Sequence, residues 1–302
     1  MRKYLLILIL NLFTAGLWSQ DETDALRYSF LQYQGTARYN AMGGAFGALG
    51  GDATTATINP AGIGVFRKSD LNFSLAYDHN ITRTYNSISG SQIGVKPSMF
   101  VDNFAFIIHT EPRSFYWKSF NIGITYSKSA NFNQSFTALN PNGTSSLLDV
   151  YTSQLNYYNI DPSTISDNPD FAFGTNLAWQ TYLVDTANGQ YFHHFMNYNQ
   201  EQSAVVTQKG TMGETDFNFS GNIQDVVYVG ITFGFPRIRY SYLMDYQEVK
   251  NEQDTVYYFN SFTYATSLTT AGNGFNFKVG AIARVSDWMR VGAAWHSPTI
   301  FS

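Results

Sequence analysis

The chain of 302 residues contains no cysteine. Thiol catalysis, iron–sulfur clusters and cysteine-based zinc sites are therefore excluded, and an exported chain must hold together without disulfides. Charge is scarce as well. Asp, Glu, Lys and Arg make up 13% of the residues, about half the content of ordinary soluble domains. The net charge of −4 and isoelectric point near 5.7 do not suit a nucleic-acid binder. Repeated apolar runs of about 18 residues are missing, which argues against a helical membrane bundle. Aromatic residues, in contrast, are plentiful: 21 Tyr, 25 Phe and 5 Trp, or 17%. Disorder needs few aromatics and high net charge. With mean hydropathy at only −0.19, the composition fits a β-rich protein with one apolar and one polar face.

Residues 1–20 read as a secretory signal. Arg2 and Lys3 form a charged start, Tyr4 to Phe13 is apolar except for Asn11, and Thr14 to Gln20 turns small and polar before Asp21 and Glu22. Cleavage is expected near Ser19 or Gln20. Loss of Arg2 and Lys3 leaves 16 basic against 22 acidic residues, a net charge of −6. The competing reading of this stretch is an N-terminal membrane anchor.

Between Asp21 and Ser69 the chain is irregular. A short helix is expected around Ala25–Gln34, followed by the small-residue tract Ala41-Met42-Gly43-Gly44-Ala45-Phe46-Gly47-Ala48-Leu49-Gly50-Gly51. Asp52 can cap a helical turn over Ala53–Ala56, which Asn59-Pro60-Ala61-Gly62 then breaks. From Asp70 onward the apolar residues follow a period of two. Leu71, Phe73, Leu75 and Tyr77 alternate with small polar residues, as do Phe120, Ile122, Ile124 and Tyr126. The pattern recurs around residues 104–108, 217–219, 227–235, 275–283 and 289–295. Seven strands of roughly nine to twelve residues are expected, the length of a tilted strand crossing a bilayer. Tyr77, Tyr126, Phe235 and Trp288 are expected at strand ends, where an interfacial girdle forms.

The connections are unequal. Residues 111–118, 222–224 and 285–287 are short, whereas Thr137 to Met212 is a long segment with helix-like stretches near Ser145–Tyr158 and Asp170–Leu183. Pro236 to Gly272 is also long, and near-alternation of Val256, Tyr258, Phe262 and Tyr264 suggests an extra hairpin. Short turns inside and long loops outside are the habit of outer-membrane barrels. The expected fold is an all-β transmembrane antiparallel barrel in the outer membrane of a Gram-negative-type bacterium. Seven is an odd number, and bacterial single-chain barrels have even counts, so the sequence is expected to be the front part of a longer chain.

Candidate chemistry is sparse. The glycines at 44, 47 and 50 lack the preceding strand and the following Lys-Ser/Thr of a phosphate-binding loop. His193 and His194 are adjacent and make a poor metal pair. His109 and His296 fall on the polar parity, but no Ser–His–acid arrangement accompanies them. Lys278, Arg284 and Arg290 also fall on that parity, either as contacts for a ligand carboxylate or as plain charge balance. No catalytic residue, metal or cofactor is expected.

The order Gly43-Gly44-Ala45-Phe46, then Gly51-Asp52-Ala53-Thr54, then Asn59-Pro60-Ala61-Gly62 resembles the start of the FadL/TodX family of outer-membrane transporters for long-chain fatty acids and aromatic hydrocarbons. The pair of strands from Gly274 to Gly292, ending His296-Ser297-Pro298, is similar in a more generic way. The resemblance implies a fourteen-stranded barrel plugged by an N-terminal hatch over residues 21–69, with Gly43, Gly44, Asn59, Pro60 and Ala61 as the hatch motif. Seven strands are half of that barrel. It further implies passive transport of a hydrophobic small molecule, from the extracellular loops to a pocket beside the hatch and then sideways through the wall. The expected partners are that ligand and outer-membrane lipids, with no nucleic acid. The alternative is a barrel with an adhesive, receptor or structural role carried by its large outer loops.

Overall fold

The computed structural model describes residues 22–31, 34–195, 198–252 and 258–302; the expected signal at 1–20 lies outside them. Two short helices, α1 (Glu22–Ser29) and α2 (Ala37–Ala41), precede two 3-10 turns at Ala53–Thr57 and Pro60–Val65. The strands β1 (Asp70–Asn86), β2 (Gly90–Thr110), β3 (Trp117–Asn131) and β4 (Gln134–Gly143) follow. An outer segment holds α3 (Leu147–Tyr157), α4 (Thr175–Gln180) and the small hairpin β5 (Val184–Ala187) and β6 (Gln190–His193). The chain then returns through β7 (Gln200–Ile223), β8 (Val227–Val249), β9 (Ser261–Arg284), β10 (Arg290–His296) and β11 (Ile300–Phe301).

The main sheet is antiparallel and curled into a half-barrel, in the order β1-β2-β3-β7-β8-β9-β10, with β4 added on β7 and β11 on β9. Its two faces follow from the period-two pattern. In β1 every second residue is exposed over all 17 positions: Leu71, Phe73, Leu75, Tyr77, Ile81 and Tyr85 stand on the convex side. Phe120, Ile122, Ile124, Phe217, Phe219, Phe233, Phe235 and Phe275 continue that apolar surface across the sheet. A contiguous exposed apolar area of this extent is unfavourable against water and marks a surface made for another apolar phase or partner. No helix among the described residues is long and apolar enough to cross a membrane.

Three turns close one end of the sheet, at residues 111–116, 224–226 and 285–289. The middle one is tight. Gln224 and Asp225 adopt positive φ of 53° and 57°, and the Asn222 side chain bonds both the Asp225 carboxylate and its N–H at 2.7 and 2.9 Å.

The strands are longer than their apolar pattern. β7, β8 and β9 have 24, 23 and 24 residues, because their outer halves, which lack a strict apolar alternation, pair all the same. The expected loop at Thr137–Met212 therefore shrinks to residues 144–199, its two ends being β4 and the start of β7. Pro236–Gly272 is no extra hairpin. It is the outer part of β8 and β9, in register from Arg237↔Asn273 to Val249↔Ser261; Val256 lies outside the described residues. For the same reason Tyr77 and Phe235 lie inside strands and not at their ends. The first helix is also shorter than Ala25–Gln34, ending at Ser29. The helices at Leu147–Tyr157 and Thr175–Gln180 fall where the sequence puts them.

Candidate functional site: the segment seated on the concave face

Across the concave face the strand registers align inward-pointing residues into rows. One row runs His109, Asn121, Ser220, Gly230, Gly280 and Ala294. The next runs Ile107, Gly123, Asn218, Thr232, Lys278 and His296. The first row falls from large to small along the sheet, leaving a shallow seat over β8 and β9. The 3-10 turn at Pro60–Val65 occupies it.

The fit is close. A side chain at Gly230 would place its Cβ 2.5 Å from the carbonyl carbon of Pro60, and one at Gly280 would overlap the Asn59 side chain. Only glycine allows backbone to approach backbone at that distance. Asn59 makes the turn locally: its Oδ1 accepts from the Ala61 N–H at 3.1 Å, with Pro60 at the first helical position, where no N–H is required. Asn59 Nδ2 donates to Gly47 O at 2.7 Å and to Ala281 O at 3.2 Å. One side chain thus ties together the glycine tract, its own turn and β9.

Wall side chains take up the remaining backbone groups of the segment. Asn121 Nδ2 donates to Ile63 O at 2.7 Å and Phe66 O at 3.1 Å. Asn218 donates to Pro60 O, Thr232 to Ala56 O, and Arg290 to Leu49 O. His296 Nε2 lies 2.8 Å from Ile58 O. Buried backbone carbonyls need such partners, and here they come from the sheet instead of a helix. Apolar contact is modest: Ala53, Ala56 and Ile63 meet Ala105 and Ile107, while Ala61 meets Tyr228 and Ile282. Asp52 caps the first turn by accepting from Thr54 N at 2.9 Å and also receives the Thr36 hydroxyl at 2.6 Å.

Gly43 and Gly44 lie in the bend after α2 at φ of 62° and 77°, away from the sheet contacts. Of the five motif residues, Asn59, Pro60 and Ala61 touch the wall and the two glycines shape the approach. Sequence reasoning missed the wall half of the interface. Asn121, Asn218 and Thr232 read as ordinary polar-face residues, and only their register against Gly230 and Gly280 distinguishes them.

The three cations do not form one patch. Lys278 is buried, its Nζ 2.9 Å from Glu214 and 3.1 Å from Asp216. Arg284, six residues along β9 and so about 20 Å away, pairs with Asp287 at 2.6 Å. Arg290 faces Arg284 in register and holds Leu49 O. Among the described residues no group of His, Asp and Glu is arranged to hold a metal ion. His193 instead binds Asp149 at 2.7 Å.

Further toward the outer end, α1 lies over the concave face. Between it and β7, β8 and β9 is a cavity of about 580 Å³, lined by Tyr28, Leu31, Met212, Ile238 and Phe301 among others, with Glu214 and Asn276 at its polar part. That volume is ordinary for a small-molecule site.

The outer segment closes the same end with a core of its own. Leu148, Leu155, Ile165, Phe171, Val184 and Tyr191 are buried together against Phe262 of β9. Glu248 of β8 anchors it, receiving Ser146 Oγ at 2.6 Å, Leu147 N–H at 2.8 Å and Tyr246 Oη at 2.6 Å. Burial works against the charged form of Asp149 in α3, but hydrogen bonds from Ser146, His193 and Tyr198 outweigh it and hold the carboxyl below the usual range.

No protein-family profile, curated protein or solved structure matches the chain.

Proposed function

We propose that the chain forms the wall and plug of an outer-membrane channel that lets hydrophobic small molecules, such as long-chain fatty acids or aromatic hydrocarbons, pass without an energy source. The observation that carries this reading is the N-terminal segment seated on the concave face, opposite a convex face paved with Phe, Leu, Ile and Tyr. The convex face matches lipid, and the concave face matches a wet lumen closed by the segment. An amphiphile crossing such a lumen unprotected exposes each CH₂ to water at about 0.8 kcal/mol. The cavity beneath α1, lined more by apolar than by polar surface, offers a stop on that route.

The segment is held by hydrogen bonds and small side chains more than by large apolar contacts. Such a seat rearranges without repacking a core, as a plug requires. The resemblance of Gly43 to Gly62 to the FadL/TodX start points the same way. Because the outer segment has its own core, a barrel that binds a macromolecule through residues 144–199 is the second reading.

The test is uptake of a fluorescent long-chain fatty acid or neutral hydrophobic dye into vesicles carrying the protein. Saturable uptake above that of protein-free vesicles is the expected result. Equal uptake with and without protein, together with tight binding of residues 144–199 to a macromolecule, contradicts the channel and favours the second reading.

A further inference from the structure

We propose that a cleft on the outer segment, between α4 and β5, binds a small organic ammonium ion. The cleft shares no lining residue with the cavity beneath α1, and the inference does not depend on the channel reading.

The cleft has a volume of about 340 Å³ and is lined by Ser166, Trp179, Gln180, Tyr182 and Asp185. That volume is at the small end of ligand pockets. Two of these residues are aromatic, one is a carboxylate and none is basic.

The local fold presents the rings. α4 ends in a left-handed cap: the Leu183 N–H donates to Ala178 O at 2.9 Å and the Tyr182 N–H to Trp179 O at 3.1 Å. This pattern puts residue 182 at positive φ, here 59°, where glycine is the usual choice. The sequence has tyrosine instead, with 78% of it exposed. A bulky side chain is strained in that backbone region, and so exposed a ring recovers little through burial. Trp179, three residues earlier, is half-buried and held edge-on against Tyr191, with ring centroids 5.8 Å apart. The cleft therefore has one fixed aromatic wall and one free one.

Its charge is uncompensated. Asp185 Oδ1 accepts the Thr186 N–H at 2.7 Å, and the carboxylate joins no ion pair among the described residues. Gln180 gives its amide N–H to Asn176 Oδ1 at 3.0 Å, which leaves its carbonyl oxygen as an acceptor. The surroundings have the same sign. Residues 144–199 contain five Asp, at 149, 161, 167, 170 and 185, and no Glu, Lys or Arg.

A neutral sugar can stack on the rings and donate to Asp185, but it leaves the charge unmatched. A metal ion needs more oxygen ligands than one carboxylate and one amide supply, and among the described residues no group of acids is arranged for one. An ammonium ion meets the negative faces of Trp179 and Tyr182 and the Asp185 carboxylate together.

The experiment uses the full chain in octyltetraoxyethylene micelles, which carry neither ammonium nor sugar. Sodium chloride at about 0.15 M screens diffuse attraction. Ligand-detected NMR titrations compare choline with its neutral carbon isostere, 3,3-dimethyl-1-butanol, and partition into protein-free micelles is subtracted. Choline is expected to bind about tenfold more tightly or better. Asp185→Asn keeps the bond to Thr186 and should bring the two ligands within about twofold of each other. Tyr182→Gly relieves the backbone while removing a ring, and should weaken choline several-fold. Equal binding of the isostere overturns the inference, as does an unchanged preference in an Asp185→Asn variant with the near-UV circular dichroism of the wild type. Binding of methyl β-glucoside without choline makes the cleft a sugar site and overturns it too. Binding of none of the three has the same consequence.

Discussion

The two ends of the concave face are closed in different ways. Toward the short turns, the segment around Pro60 is held by its own Asn59 reaching the Ala281 carbonyl of β9, by Asn121, Asn218, Arg290 and His296 of the wall reaching its backbone, and by glycines that let it come close. Toward the long connections, residues 144–199 close over a buried apolar core, tied to the wall through Glu248. The first is a seat and the second a small folded body. A seat made of directional bonds to a smooth floor is specific in position but cheap to leave. A core of Leu, Ile and Phe is expensive to open. On the proposed channel reading, this difference would put movement at the segment around Pro60 and permanence at residues 144–199.

The largest effect that separates the two regions is Leu155→Ala. It empties space in the cap core and should cost about 2–5 kcal/mol of cap stability, read as faster amide exchange in residues 147–193 with none of the change at 52–66. The converse is Gly280→Val. Its side chain collides with Asn59, and overpacking of about 1–3 kcal/mol should release the segment. Limited proteolysis then cuts within residues 34–66 while the cap stays intact. Next, Asn121→Ala strands the carbonyls of Ile63 and Phe66 and should weaken the seat by about 1–3 kcal/mol. Exchange at Gly64 and Val65 reports it.

The smallest effect is in pH. The Asp149 carboxyl titrates below its usual range in the folded cap. Its contribution is complete above the unfolded value of about 3.9 and is lost as pH falls through the lower, folded value. Because the side chain is partly exposed, less than about 1 kcal/mol is at stake. Thermal melting of wild type and Asp149→Asn should differ at pH 6 and converge near pH 2.

The sheet was legible in the sequence because lipid-type alternation leaves one residue in two apolar, as in Leu71-Asn72-Phe73-Ser74. Where apolar residues are few and do not alternate, as in Gln200 to Thr211 with Val205 exposed and its neighbour Val206 buried, no pattern distinguishes strand from loop, and the outer halves of β7, β8 and β9 were hidden for that reason. The motif Asn59-Pro60-Ala61 was visible because capping chemistry is local. Its seat was not, since Gly230, Gly280 and Asn218 lie in different strands and meet only through register. The pairing of Lys278 was hidden in the same way: its acids are 62 and 64 residues away in sequence, on a strand that is not its neighbour.

The measurement closest to the central claim compares hydrophobe uptake with leakage of a small hydrophilic solute in vesicles, for the full chain and for a chain lacking residues 22–66. The account predicts a high ratio for the full chain, collapsing when the segment is removed because the solute leaks freely. A ratio that does not change on removal would contradict a plug in the lumen.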